Sequence, residues 1–217
     1  MKTVFLVLFF CFGAVHLVAS FFDKKSVRYA TKAFILLFLL LYYLFSAKEK
    51  SGLMIAALVG SLIGDIFLMP PGLVFFAVGG AGFLVSQVCF ILRYAQLTDF
   101  SAVNYLLVAV CFAVYFVAAF LVFKKLKNGP DAKTLFGMIA YLAFNGAMNL
   151  FAFMLLLSMP SFGSALVFFG AVSFYVSDIL LFFNDFYKKP LRRKYFLVML
   201  TYIIAEFCIT QGVLMIG

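Results

Sequence analysis

Apolar residues in this chain form long continuous runs, separated by short polar or charged segments. Each run approaches the roughly 20 residues that a helix needs to cross a bilayer. None alternates with the period of two that is typical of strands. The pattern therefore predicts an all-α polytopic membrane bundle of eight transmembrane helices, with residues 1–217 as a single transmembrane domain. The predicted spans are 3–22, 30–47, 52–69, 72–93, 103–123, 135–157, 163–184 and 195–216.

Composition agrees with this reading. Hydrophobic residues make up 67% of the chain and charged residues only 12%, whereas soluble domains are about 45–50% apolar and about 25% charged. These values exclude a soluble enzyme, a nucleic-acid-binding domain and a disordered chain. The eight spans leave only short connections, so any chemistry lies inside the bundle or at its rims.

The formal charge of +9 is concentrated on one side of the predicted bundle. Basic connections stay cytoplasmic, so both termini are expected on the non-cytoplasmic side. An N-terminal signal peptide is the alternative, but its cleavage would invert the charge pattern. We expect membrane lipid, and no nucleic acid, as the partner of these charges. Thirteen of the 17 basic residues lie in the connections after predicted spans 1, 5 and 7: Lys24, Lys25, Arg28, Lys32, Lys124, Lys125, Lys127, Lys133, Lys188, Lys189, Arg192, Arg193 and Lys194.

Two segments suggest an internal repeat. Residues 62–68 in the third span and 175–181 in the seventh both read small residue, Asp, Ile, any residue, Leu. Gln87 and Glu206 hold similar places in the fourth and eighth spans. An offset of four spans preserves orientation, so the halves are possible parallel repeats, an arrangement found in transporters.

Three carboxyl groups lie well inside apolar spans: Asp65, Asp178 and Glu206. A charged group at the bilayer centre costs about 2.5–3.5 kcal/mol on insertion scales, so such residues face the protein interior and are functional candidates. From the number of residues that precede each aspartate in its span, we expect both at similar depth, sharing one cavity with Glu206. Interhelical hydrogen bonding is the alternative role.

Polar residues four positions apart share one helix face. Two such stripes support an interior polar seam. They are Tyr202, Glu206 and Thr210 in the eighth span, and Tyr141, Asn145 and Asn149 in the sixth. The four cysteines show no metal-ligand spacing and His16 is the only histidine, so we expect no metal and no cofactor.

An ordered set of residues resembles the YhhN-like lysoplasmalogenase family, and the similarity runs across nearly the whole chain. The chain departs from the family where we expect a histidine, which is Gln87, where a tyrosine often follows, which is Phe90, and where a glutamine is common, which is Glu206. The residues that carry the resemblance are Gly64, Asp65, Phe76, Gly79, Phe83, Gln87, Ser177, Asp178, Met199, Thr201, Tyr202 and Glu206.

The resemblance implies hydrolysis of the vinyl-ether bond of a lysoplasmalogen, a lysophospholipid, to a fatty aldehyde and a glycerophospho-alcohol. It also implies the endoplasmic reticulum membrane if the source is eukaryotic. Such hydrolysis needs a protonated acid, a nearby anion and a base, and two carboxyl groups divide comparable roles in glycoside hydrolysis. We expect Asp65 and Asp178 to be this pair, with the acid unassigned.

The remaining candidates position water or substrate. Glu206 is grouped with the catalytic carboxyls, and Tyr202, Gln87, Asn145, Asn149 and Tyr141 are expected to bind substrate through hydrogen bonds. A small-solute or proton-coupled transporter is the main alternative function, because transporters also carry buried carboxyls and parallel repeats. An inactive relative that binds lipid is the third. The headgroup preference and the oligomeric state stay open.

Overall fold

A computed structural model describes residues 1–187 and 194–217. These residues form eight α-helices and one short 3-10 helix, Phe100–Ala102, and the described ranges contain no strand. Each predicted span falls on one helix. The helices are α1 (Lys2–Phe21), α2 (Lys25–Ser46), α3 (Gly52–Phe67), α4 (Leu73–Leu97), α5 (Tyr105–Leu126), α6 (Ala132–Ser158), α7 (Phe162–Phe186) and α8 (Lys194–Ile216).

Seven of these helices are long and apolar enough to cross a membrane, and α3 is the shorter exception. Its 16 residues extend about 24 Å at 1.5 Å per residue, less than a hydrocarbon core of about 30 Å. It ends at Phe67 because Pro70 and Pro71 follow, and a residue before proline disfavours the helical conformation. Gly72, with φ of +130°, then leads into α4.

The predicted basic connection after the first span is wrong at three of its four residues. Helix α2 begins at Lys25, five residues before the predicted start of its span, so it contains Lys25, Arg28 and Lys32. Lys32 differs most from the prediction. Its side chain is only 15% exposed and makes an ion pair inside the bundle. The charge pattern grouped Lys32 with solvated loop residues because a lysine near the end of an apolar run usually extends toward the membrane surface.

Close contacts at glycine residues join two pairs of neighbouring helices, α3–α4 and α7–α8. A Cβ on Gly82 would lie 2.9 Å from the backbone nitrogen of Gly64, and one on Gly212 would lie 2.6 Å from the backbone oxygen of Gly163. Small residues let helix backbones approach closely in membranes. These two pairs carry Asp65 and Asp178, so the candidate site is built on rigidly packed helices.

The order of neighbours is similar in the two halves. Helices α1 to α4 pack consecutively, as do α5 to α8, while α4 also contacts α6 and α8 also contacts α1 and α2. This order agrees with two parallel four-helix repeats. The duplication itself stays a prediction.

Helix α8 lies near the centre of the bundle and α5 at its periphery. Of the most apolar 18-residue segment of each helix, 56% is buried in α8 and 11% in α5. Helix α5 packs mainly on α6, and large apolar side chains such as Leu106 and Phe116 are exposed. In a bilayer, that surface contacts lipid.

Polar side chains in the connections cap the N-termini of α5, α6 and α7. Asn104 accepts hydrogen bonds from the backbone of α5, and Ser161 forms a capping box with Ser164 at the start of α7. Asp131 accepts hydrogen bonds from Thr134 and Lys133 at the start of α6. Because these bonds favour the charged carboxylate, they lower the pKa of Asp131.

Candidate functional site

The three predicted carboxyl groups are buried on three different helices. Asp65 on α3 is 1% exposed, Asp178 on α7 is 6% exposed and Glu206 on α8 is 0% exposed. Glu206 lies close enough to both aspartates to interact electrostatically with each. The fold therefore gathers the three groups into one polar region between α3, α7 and α8.

Asp65 is held by one cation and one hydroxyl group. The Lys32 ammonium lies 3.2 Å from its Oδ1, and the Tyr202 hydroxyl donates a hydrogen bond of 3.0 Å to its Oδ2. The Tyr202 ring packs edge-on against Phe83 and Phe174, with each centroid distance 5.7 Å. A neighbouring cation stabilises a carboxylate, so these contacts suit Asp65 as an anion fixed in position.

Asp178 has partners of another kind. The Asn145 amide donates a hydrogen bond of 2.5 Å to its Oδ2, and the Tyr141 hydroxyl lies beside it. Both groups are neutral, and the described residues place no cation in an ion pair with Asp178. Burial without a charged partner favours the neutral form of an acid.

A hydrogen-bonded chain continues outward from Asn145 to the peripheral helix. The Asn149 amide donates to Asn145 Oδ1 over 3.0 Å, and the Tyr115 hydroxyl donates to Asn149 Oδ1 over 2.7 Å. Residues on α5 and α6 thus orient Asp178 on α7 through neutral donors and acceptors. Tyr115 was missed by the sequence analysis, because one tyrosine in an aromatic-rich run carries no distinguishing pattern.

The buried polar side-chain atoms of Glu206 and Gln87 have unused hydrogen-bonding capacity. Ser61 and Tyr202 are the polar neighbours of Glu206, and Tyr141 lies beside Gln87. Within the described ranges, neither carboxyl oxygen of Glu206 and neither amide atom of Gln87 makes a hydrogen bond of normal geometry. Such buried groups are unusual in proteins. They are suited to bind a water molecule or a polar substrate atom.

A cleft of about 740 Å³ opens at the end of the bundle above Asp65. It lies between the α1–α2 turn, the α3–α4 turn and the facing ends of α7 and α8. Lys32 and Met199 belong to its lining, whereas Asp65 lies behind Lys32 and Tyr202 lies behind Asp65. A molecule in the cleft therefore meets Lys32 before it meets Asp65.

The only histidine, His16, also lines this cleft. It is buried, and its Nδ1 lies 2.8 Å from the Thr31 hydroxyl. Over residues 1–187 and 194–217, no group of three or more His, Cys, Asp or Glu side chains is arranged to hold a metal ion.

The structure places all eight predicted site residues on helices inside the bundle. Seven are buried and Tyr141 is half-buried. The eight residues form two groups, one around Asp65 and one around Asp178, and Glu206 lies near both. Lys32 was the missed member of the first group, although the predicted span 30–47 contained it. The residues are Asp65, Gln87, Tyr141, Asn145, Asn149, Asp178, Tyr202 and Glu206.

In the part of the chain that the structure describes, seven long apolar helices, one shorter helix and an interior polar network define a polytopic helical membrane protein with a buried carboxyl site. The sequence model of the YhhN family matches residues 27–213. The chain belongs to the YhhN family. The match covers nearly all of α2 to α8 and every candidate site residue. Comparison with curated proteins and with solved structures gave no match.

Proposed function

We propose that this protein is a lysoplasmalogenase-like hydrolase that cleaves the vinyl-ether bond of a lysophospholipid. The observation that carries the proposal is the unequal pair of buried aspartates, one beside a cation and one beside a neutral amide. Vinyl-ether hydrolysis needs a proton donor and an anion at the same bond. Enzymes separate such roles by giving two carboxyl groups different environments. Family membership supports the class of reaction.

Asp178 is the proton donor in this mechanism. Its proton moves to the vinyl carbon distant from the ether oxygen, and the adjacent carbon becomes part of an oxocarbenium-like cation. The Asn145 amide keeps the acid oriented. After transfer, the Asp178 carboxylate retains that hydrogen bond, so the negative charge that develops is partly compensated.

Asp65 supplies the permanent anion. Lys32 and Tyr202 fix its carboxylate, and the carboxylate stabilises the positive charge on the substrate. Glu206 and Gln87 position the water that adds to the cationic carbon. The Asp178 carboxylate left by the first step accepts a proton from that water, which restores its acid form. The hemiacetal hydroxyl then loses its proton as the bond to the glycerol oxygen breaks, and the glycerol oxygen takes up a proton, so this step consumes no net proton. The products are one fatty aldehyde and one glycerophospho-alcohol, and the net reaction consumes one water.

The test is aldehyde release from an alkenyl-lysophospholipid by the purified protein. We expect Asp178→Asn and Asp65→Asn each to lower the rate by about 10²–10⁴-fold, the range typical of a lost acid or base. Both changes keep the side-chain shape and remove the carboxyl group. Glu49→Gln, an exposed change in the α2–α3 connection, serves as the matched control and should keep full activity. Full activity in both aspartate variants would contradict the mechanism.

Transport of a small solute or proton is a second candidate function. It is favoured by buried polar groups that continue past Glu206 toward the other end of the bundle, namely Tyr94 on α4 and Thr210 on α8. Flux assays in proteoliposomes, run beside the aldehyde assay, separate the two functions. Flux without aldehyde release supports the transporter. Lipid binding with neither activity supports an inactive lipid-binding relative.

We infer that the cleft faces the cytoplasm, because Lys25 and Arg28 line it and basic segments stay on that side. Both termini then lie on the opposite side of the membrane, which in a eukaryotic cell is the endoplasmic reticulum membrane. Glycosylation tags fused to each terminus test this orientation. Modification of neither tag in a eukaryotic microsomal system would contradict it.

A further inference from the structure

Three basic residues of α2 lie along one helix face and line the same cleft. Lys25, Arg28 and Lys32 follow each other at spacings of three and four, which places them on one side of a helix. Basic residues near the end of a membrane helix usually extend toward water or lipid headgroups. Here Arg28 is 11% and Lys32 is 15% exposed, so both side chains are directed into the protein.

The guanidinium group of Arg28 is held in a fixed orientation. The Tyr195 ring lies over it, with 3.8 Å between the ring centroid and Cζ, and Asp23 Oδ1 lies 3.2 Å from Nη1. A guanidinium group has five N–H donors in a planar fork, and two contacts leave donors for another acceptor. Arginine held in this way suits the oxygens of a phosphate group.

Lys32 is placed to act at two sites. Its ammonium has three donors, one of which is directed to Asp65 at 3.2 Å, while the side chain also lines the cleft. An anion in the cleft would therefore share this ammonium with Asp65. No other basic residue in the described part of the chain forms an ion pair with a candidate carboxyl group.

The wall opposite the basic face is largely apolar, with Met69, Phe76, Leu181 and Met199. Asp185 of α7 also lines the cleft, and Asp23 lies beside Arg28, so the positive charge of the described lining comes from α2 alone. A volume of about 740 Å³ lies within the range of about 300–1,000 Å³ typical of small-molecule sites. One basic wall and one apolar wall match a molecule with a phosphate group and a hydrocarbon part.

We propose that this cleft binds the phosphodiester of the lysophospholipid, with Arg28 and Lys32 as its contacts. This inference rests on the proposed function, because it places the headgroup of the same substrate. Lys32 then links recognition to chemistry. When the phosphate accepts a hydrogen bond from Lys32, the ammonium neutralises Asp65 less completely. The Asp65 carboxylate then stabilises the developing positive charge on the substrate more strongly.

Binding of a lipid that cannot be hydrolysed tests the subsite independently of catalysis. The probe is a saturated 1-O-alkyl-glycerophosphocholine, and its phosphate-free match is the 1-O-alkylglycerol of the same chain length. We expect the phosphate-bearing probe to bind the wild-type protein at least about tenfold more tightly, since hydrogen bonds to charged groups are stronger than neutral ones. Raising the ionic strength should weaken only its binding.

Variants assign the effect to residues. Arg28→Gln should weaken binding of the phosphate-bearing probe by about tenfold and leave binding of the alkylglycerol unchanged. Lys32→Gln is combined with Asp65→Asn so that no unpaired carboxylate stays buried, and the double variant should bind the phosphate-bearing probe about tenfold more weakly than Asp65→Asn alone. Arg28→Lys, which keeps the charge but loses the planar fork, should fall between Arg28→Gln and wild type. Lys24→Gln is the matched control, because Lys24 is exposed on the same segment and does not line the cleft.

Equal affinity of the wild-type protein for the two probes would overturn the proposal. So would competition by inorganic phosphate as strong as that by the lipid, which would indicate a general anion site. The two hypotheses fail separately. If the protein distinguishes the probes but releases no aldehyde, the subsite stands and the hydrolase function is wrong. If it cleaves alkenylglycerol and alkenyl-lysophospholipid equally, the hydrolase function stands and the subsite is wrong.

Discussion

Asp65 and Asp178 occupy corresponding places in the two halves, yet their surroundings differ in chemistry. In each half the main partner comes from the preceding helix: Lys32 on α2 reaches Asp65 on α3, and Asn145 on α6 reaches Asp178 on α7. The geometry is repeated while the partner changes from a cation to an amide. A shared aspartate motif thus fixes where a carboxyl group lies, and the partner helix decides what that group can do.

The two aspartates also differ in the length of helix that follows them. Helix α3 ends two residues after Asp65, whereas α7 continues for eight residues after Asp178. At 1.5 Å per residue these lengths are about 3 Å and about 12 Å. The early end of α3 brings Asp65 close to the cleft, and the extra turns of α7 keep Asp178 away from it.

The largest expected stability difference between the two groups comes from removal of the cation. Lys32→Met leaves the Asp65 carboxylate buried and unpaired, which should lower the free energy of unfolding by about 3–5 kcal/mol. The measurement is denaturant unfolding in detergent micelles. The double variant Lys32→Met with Asp65→Asn should recover much of this loss, because it removes both charges. If the single variant is as stable as wild type, the ion pair contributes nothing to the fold.

A smaller loss is expected in the second group. Asn145→Ala removes the neutral donor to Asp178 and the acceptor for Asn149, so we expect a loss of about 1–3 kcal/mol. The same unfolding measurement applies. Ser173→Ala, which removes a hydroxyl bonded only to its own helix, is the control and should change little. A loss as large as that of Lys32→Met would mean that the two environments do not differ as the contacts indicate.

The smallest effect belongs to the outer end of the amide chain. Tyr115→Phe removes one hydroxyl that donates to Asn149 and should cost about 0.5–1.5 kcal/mol. We expect aldehyde release to stay near the wild-type rate, because Asn145 still reaches Asp178. Tyr105→Phe, at an exposed hydroxyl, gives the baseline. Loss of activity in Tyr115→Phe would show that the catalytic network extends to α5.

Much of this arrangement could be predicted from the sequence. Continuous apolar runs give the helices, and Asp65, Asp178 and Glu206 stand out because a lipid-facing carboxyl group is so costly. The i, i+4 spacing of Asn145 and Asn149 places both on one face. The residues that differ between the two halves were harder to predict. A lysine near the start of an apolar run has the same local pattern whether it faces lipid headgroups or a carboxylate on the next helix.

The hydrogen bond between Tyr202 and Asp65 joins residues 137 positions apart. At about 5–20 residues per second, the ribosome needs roughly 7–27 seconds to synthesise that interval. During this time Asp65 enters the membrane without Tyr202 or Glu206 beside it. Lys32, already synthesised on α2, is then its available partner. We therefore expect α2 and α3 to insert as a mutually neutralised hairpin, with the site completed only when α8 arrives.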